Sequence, residues 1–262
     1  MDIGSGKDLD EYGDTPYHLI DIVDPGYEFN VFEFQKHFCD AFSTIQKQDK
    51  LPLLVGGTGL YLDSILNQYQ FTEVAKNNEL REQLAEKSHD ELEARLKKLN
   101  PNLHNTTDLV DRDRLIRAIE IAEAERSDNL LSTGLPKIKL PKIDSLIFGI
   151  KWDRPMLKKR ITARLKQRME QGLIEEVERL HSEGVSWESL HFYGLEYRFV
   201  AAHLQGELNK NDMFQKLNSA IHTFAKQQEK WFRKMERKGT NIHWLNGESD
   251  TLQQALDILE TC

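Results

Sequence analysis

The chain has 262 residues, 39% of them hydrophobic and 30% charged, with a formal net charge of −8. That length can bury a full core, so one α/β domain carrying a lobe or insertion is expected. The opening is no secretory signal, no apolar run approaches the roughly 20 residues that span a bilayer, and Cys39 and Cys262 show no CxxC spacing, so a cytoplasmic protein with neither zinc site nor disulfide framework is expected.

The opening MDIGSGKDLD contains a Gly-Ser-Gly-Lys that invites reading as a phosphate-binding loop. Such a loop needs Gly, four residues, then Gly-Lys-Ser/Thr, because successive backbone N–H groups curl round a phosphate while the hydroxyl holds Mg²⁺. Counting back from Gly6-Lys7, the first glycine falls on Met1, and Asp8 takes the hydroxyl position. An exposed loop or frayed terminus is the expectation there.

Residues 17–23, YHLIDIV, read as a strand stopped by Asp24-Pro25-Gly26. In FNVFEFQKHFCDAFSTIQKQ, Val31, Phe34, Phe38, Phe42 and Ile45 recur near the helical period, which predicts a helix. LPLLVGG is a short apolar run ending in Gly56-Gly57, the pattern of a buried parallel strand, and TGLYLDSILN starts the next helix. Strand, helix, strand and helix make a βαβ-type layout.

From 73 to 135 the character changes. NNELREQLAEKSHDELEARLKKLNP is a charged helical segment with a sparse stripe of Leu80, Leu84, Leu92, Leu96 and Leu99, and DLVDRDRLIRAIEIAEAE is a second helix. They read as a helical lobe, 73–135, inserted in an α/β core of 1–72 and 136–262. A proline-punctuated connector, TGLPKIKLPKIDS, leads back to a strand in IDSLIFGIKW. The remainder is mostly helix, with NIHWLN as a last short strand.

Bases crowd two stretches of this acidic protein: Lys142 to Arg168, and Lys226, Lys230, Arg233, Lys234, Arg237 and Lys238. Each alone reads as a solvated helix face; together they raise the case for a polyanionic partner. Arg114 and Arg117 share a helical face and suit either a phosphate clamp or surface ion pairs with Asp111, Asp113 and Glu120. Thr58, where a helix begins, is either a plain N-cap or a ligand contact, and the two readings stand level. Lys226, Lys230 and Arg233 flank Trp231 and Phe232, a mixture that suits nucleic acid or diphosphate, although Trp231 also reads as core. Glu175, Glu176 and Glu178 read as a solvated face. His18, His104 and His222 have no metal-ligand spacing.

Taken in order, these stretches resemble the tRNA dimethylallyltransferases. MDIGSGKDLDEYGDTPYHLIDIVDP is similar to the family's DIGTxK and HLIDI motifs, LPLLVGGTGLYL to PxxVGGTGLY, and DRDRLIRAIEI to DPxRxxRALEV. RITARLKQRMEQGLIEEVERL is similar to RxxxRxxxMxxxGLxxEVxxL, YGLEY to IGYKE, and IHTFAKQQEKWFR to TRxYAKRQxTWFR. The resemblance spans essentially the whole chain. It implies a P-loop-type parallel sheet with an inserted helical lobe that grips the anticodon stem-loop, and a helical C-terminal part.

The implied reaction is transfer of a dimethylallyl group from dimethylallyl diphosphate to N6 of the adenosine 3′ of the anticodon. N6 is a poor nucleophile because its lone pair is delocalised into the ring, so a base should take its proton. Diphosphate leaves well when Mg²⁺, cations and backbone N–H groups receive its charge. By resemblance Thr58 sits at the reacting adenosine, Arg81, Asp113, Arg114, Leu115, Ile116 and Arg117 contact tRNA, and Lys226 and Arg233 help bind diphosphate.

Two departures stand out. The arginines of the TRxYAKRQ motif fall on His222 and Gln227, and Glu196 replaces the lysine of IGYKE. The family's first strand, its nucleotide-type (ATP-binding) P-loop and its general-base aspartate would all lie ahead of Met1. The chain by itself is therefore expected not to transfer a prenyl group, and apolar surface is expected on strands neighbouring the missing one. A monomer in the cytoplasm is the expected form. Alternatives from the same residues are a non-catalytic tRNA-binding paralogue and an adenylate isopentenyltransferase.

Overall fold

The computed structural model describes residues 1–101, 112–131 and 138–261. The chain divides into two compact units, Met1–Asn67 with Pro141–Cys262, and Gln68–Leu140. The first unit begins with helix α1 (Val31–Gln46), opened by a capping box in which the Asn30 side chain accepts from the backbone of Glu33 while the Glu33 side chain accepts from that of Asn30. Helix α2 (Gly59–Leu66) packs against it, with Tyr61 stacked on Phe34 at 4.5 Å between ring centroids.

Helices α3 (Asn78–Ala85), α4 (His89–Leu99) and α5 (Arg112–Leu131) belong to the second unit. The sequence suggested one charged helical segment for the first two. Ser88 divides it: its side chain accepts from the backbone of Glu91, and the Glu91 carboxylate accepts from Ser88 N at 2.8 Å. That capping box restarts the helix, so Leu80 and Leu84 meet Leu92 and Leu96 around Leu115 and Ile119. Much of the proline-punctuated connector, 132–137, lies outside the described residues, as does His104.

Back in the first unit, β1 (Phe148–Lys151) and β2 (His243–Asn246) form a two-stranded parallel ladder, with Phe148 opposite His243 and Lys151 opposite Asn246. A parallel pair needs a long crossover. Helices α6 (Arg154–Glu170), α7 (Leu173–Ser182), α8 (Trp187–Phe192), α9 (Leu195–Leu204) and α10 (Lys210–Arg237) supply it, and α11 (Thr251–Leu259) follows β2. Gly172, at φ 98°, separates α6 from α7 in the left-handed region that glycine tolerates. Leu173, Val177, Leu190, Val200, Met213 and Leu217 are all fully buried in this crossover's core. At about 1.5–3 kcal/mol for each such side chain, this cluster anchors the unit.

Two strands expected from the sequence are not formed. Within 17–23, Leu19 and Asp21 have φ of 63° and 53°, which breaks any extended run. Residues 51–57 are apolar enough for a strand but have no ladder partner among the described residues, and Leu51, Leu53 and Val55 are 81%, 75% and 84% exposed. Apolar patterning becomes a strand only where a neighbouring backbone takes its N–H and C=O groups. The architecture is therefore α/β, mostly helical, with one small parallel sheet.

Candidate functional site

In the first unit, the chain leaves its apolar run through Gly56, Gly57 and Thr58 and enters α2 at Gly59. This turn is seated on α10. The Gln228 side-chain amide donates to the Gly57 carbonyl at 2.9 Å, and a Cβ on Gly59 would stand 2.3 Å from the Trp231 ring. Gly59 is thus where the close approach demands glycine; a Cβ on Gly56 would meet nothing within 4 Å. One turn further on, the buried Asp63 carboxylate lies 3.8 Å from Lys238 Nζ and accepts from Asn67 at 2.5 Å. Gln228, Trp231 and Lys238 recur at helical spacing, so one face of α10 carries the whole turn and α2.

Thr58 is exposed in the N-cap position of α2, at φ −81° and ψ 96°, and its hydroxyl makes no capping bond. The side chain that resemblance assigns to substrate is thereby presented outward. Trp231 is half-buried, with Lys234 Nζ 4.9 Å from its ring centroid, and its indole N–H is buried with no partner among the described residues. Lys226 and Arg233 are exposed on α10, and Arg233 pairs with Glu229. Seven residues apart, they share a face roughly half a turn round the helix from Gln228 and Trp231. Thr58 therefore comes together with Gln228 and Trp231, while Lys226 and Arg233 lie on the side of α10 that carries His222.

The amino-terminal segment corrects two sequence readings. Glu176, read as solvated, is 5% exposed; its carboxylate accepts the backbone N–H groups of Asp2 at 2.9 Å, Ile3 at 2.6 Å and Gly4 at 3.3 Å, and the Tyr197 hydroxyl at 2.6 Å. Burial pushes its pKa up, but the Tyr197 hydroxyl and the backbone N–H groups outweigh that and hold it below the usual glutamate value. The GSGK stretch is accordingly not frayed. Gly4 lies under the Tyr197 ring, Lys7 pairs with Asp2 and Asp21, and Asp8 pairs with Arg168 and Arg164. The signal was present in the sequence: Glu176 falls three after Leu173 and four before Leu180, on the apolar stripe of α7.

In the second unit, Glu120 is buried and gathers two of the arginines singled out from the sequence. Arg81 donates from Nε to one carboxylate oxygen and from Nη2 to the other, both at 2.8 Å, and Arg117 reaches the second oxygen at 3.3 Å. Asn77 N donates at 2.9 Å, and the other Arg117 Nη donates to the Val74 carbonyl at 2.7 Å. Both arginine side chains remain 35% exposed. Asp113 and Arg114 are exposed on α5, whereas Leu115 and Ile116 lie with their side chains in the unit's core. Asp111 lies outside the described residues.

A small parallel sheet crossed by helices, a glycine turn mounted on a basic helix, and a separate unit whose described helices carry braced arginines define a mostly helical α/β protein. The chain belongs to the IPP transferase family, whose model matches residues 1–235. It is 61% identical over 259 residues to tRNA dimethylallyltransferase 1 of Geotalea uraniireducens, covering 99% of this chain and 84% of that one. It is 49% identical to tRNA dimethylallyltransferase 2 of Shewanella sediminis, again over 99% of this chain and 84% of the relative. Among solved structures, the tRNA isopentenylpyrophosphate transferase of Bacillus halodurans superposes with a TM-score of 0.67 at 28% identity, over 100% of this chain and 82% of that one.

Proposed function

We propose that this protein modifies tRNA by transferring a dimethylallyl group from dimethylallyl diphosphate to N6 of the adenosine 3′ of the anticodon. The carrying observation is the turn at 56–59, seated on α10 by Gln228 and Trp231 with Thr58 left outward. Relatives 49% to 61% identical over 259 residues bear the name tRNA dimethylallyltransferase. Thr58 is the proposed contact to the reacting adenosine. Arg81, Arg114 and Arg117 are the proposed contacts to RNA phosphates, where a guanidinium offers paired donors to the phosphate oxygens. Lys226 and Arg233 are the proposed cations for the diphosphate, which must be stabilised as it departs.

Mg²⁺ enters only as a companion of the diphosphate. Among the described residues no group of three or more His, Cys, Asp or Glu side chains is placed to hold a metal ion, and no step is assigned to one. Mg²⁺ commonly takes its ligands from substrate phosphates and water with one or two carboxylates. No helix of the described residues is long and apolar enough to cross a membrane, and the cytoplasm is the proposed place of action.

The test is binding and transfer measured together. The protein is mixed with an anticodon stem-loop RNA and dimethylallyl diphosphate, and the RNA is weighed by mass spectrometry. Gain of one dimethylallyl group, lost when the adenosine 3′ of the anticodon is replaced by guanosine, is the result expected of the proposed reaction, whereas binding of the stem-loop with no gain is the result expected if this chain by itself does not transfer the group. Failure to bind the stem-loop at low salt overturns the reading.

A further inference from the structure

Helices α6 and α10 run against each other, and their contact is recorded by two polar bonds. The Thr162 hydroxyl donates to the Asn218 side-chain oxygen at 3.1 Å and lies 3.4 Å from His222 Nε2. Leu165 of α6 and Leu217 of α10 share the core just beyond. Moving back along α6 from Leu165 to Thr162 therefore moves forward along α10 from Leu217 to His222, so the helices are antiparallel there. One turn further in the same sense brings Lys158 beside His222 and Lys226.

The charges at this place are unusual for a protein with a net charge of −8. Lys158 and Lys226 are both exposed, and neither has an ion-pair partner among the described residues. The acid nearest in sequence to Lys226 on its helix, Glu229, is taken by Arg233. His222 is pushed below the ordinary histidine value, first by partial burial and then by Lys158 and Lys226. It therefore lies close to both cations. Like charges held together without an acid repel one another, and an anion placed among them removes that repulsion.

We propose that Lys158 and Lys226, brought together where Thr162 meets His222, form a phosphate-binding site. In it Lys158, from the neighbouring helix, supplies the cation that an arginine at position 222 would otherwise provide. The site rests on the proposed function in one respect: its phosphate belongs either to the diphosphate of the prenyl donor or to the RNA backbone. The chemistry is the same for both, an oxyanion held by two ammonium groups.

Two titrations on the full chain decide it, one with inorganic diphosphate and one with an anticodon stem-loop RNA over a series of salt concentrations. Lys158→Ala is expected to weaken diphosphate binding about 3- to 10-fold, the loss of one exposed charge-assisted contact. Lys158→Arg should stay near wild type, and His222→Arg added to Lys158→Ala should restore much of the loss. If the phosphate is instead that of RNA, Lys158→Ala leaves diphosphate unchanged and makes the log–log salt slope for RNA shallower by about 0.7–0.9. Lys158→Ala indistinguishable from wild type with both ligands overturns the site while leaving the proposed function standing. A wild-type protein that takes up neither ligand overturns both.

Discussion

Arg81 and Glu120 meet edge to edge, guanidinium to carboxylate, through two bonds of 2.8 Å, and the Glu120 side chain is fully buried. Taking a carboxylate out of water is costly unless its oxygens are well paired. Here every approach is filled: Arg81 on one edge, Arg117 and the Asn77 N–H around it. Glu120 thus ties α3 to α5 and fixes the direction of both arginines. Glu120→Ala should destabilise the helical unit by about 3–5 kcal/mol, because two cations lose a buried partner. Arg81→Lys, which keeps the charge but loses the paired geometry, should cost less. Urea unfolding followed by far-ultraviolet circular dichroism checks both, and an Arg81→Lys protein as stable as wild type would refute the importance of the bidentate geometry.

Acid should weaken the protein through two glutamates. Burial raises the pKa of Glu120, but Arg81, the Asn77 N–H and Arg117 hold it below the ordinary value of 4.5; Glu176 stands below 4.5 through Tyr197 and the N–H groups of residues 2–4. A carboxyl whose folded pKa lies below its unfolded one adds stability that is present above the unfolded pKa and lost as pH falls through the folded one. Unfolding midpoints should therefore hold steady down to about pH 5 and fall beneath it. Glu120→Gln and Glu176→Gln should each flatten that fall. A Glu176→Gln protein with the full wild-type acid dependence would exclude Glu176 as a contributor.

Those two carboxylates also mark how far the sequence could be read. The helices were legible because their apolar residues recur at helical spacing, but the break at Ser88 was not expected, although its capping partner Glu91 stands three residues on. Glu176 had a local signal, its place on the stripe of Leu173 and Leu180, but its three backbone partners are 172 to 174 residues away at the chain's start. Glu120 is of the same kind, since Arg81 lies 39 residues off. The run at 51–57 failed as a strand for the same physical reason in reverse: a strand is completed by a distant backbone that composition does not reveal. Glycine need at the turn was visible, but which glycine meets a neighbour depended on where Trp231 falls.

That neighbour makes Gly59 a sharp test of the turn. A methyl there would press on Cγ and Cδ1 of Trp231 at 2.3 Å, and the ring is flanked by Lys234. Overpacking of this sort costs about 1–3 kcal/mol, or a lowering of Tm of very roughly 2–12 °C at this size. Gly59→Ala should show it, with a change in tryptophan emission as the ring shifts. Gly56→Ala, which meets nothing within 4 Å, should be close to neutral. If both variants melt alike, the contact between turn and α10 is not what restricts residue 59.

The exposed apolar run makes a prediction of the opposite sign. Leu51, Leu53 and Val55 offer to solvent side chains and a backbone with no ladder partner among the described residues, the combination that pairs edge to edge with another chain. A charge placed there opposes such pairing at small cost, since a side chain that is 75% exposed gives up little packing. Leu53→Lys should change stability by no more than about 0.5 kcal/mol while reducing concentration-dependent self-association in light scattering. A loss of more than about 2 kcal/mol would mean that Leu53 is covered by protein in solution, because only a buried leucine carries that much.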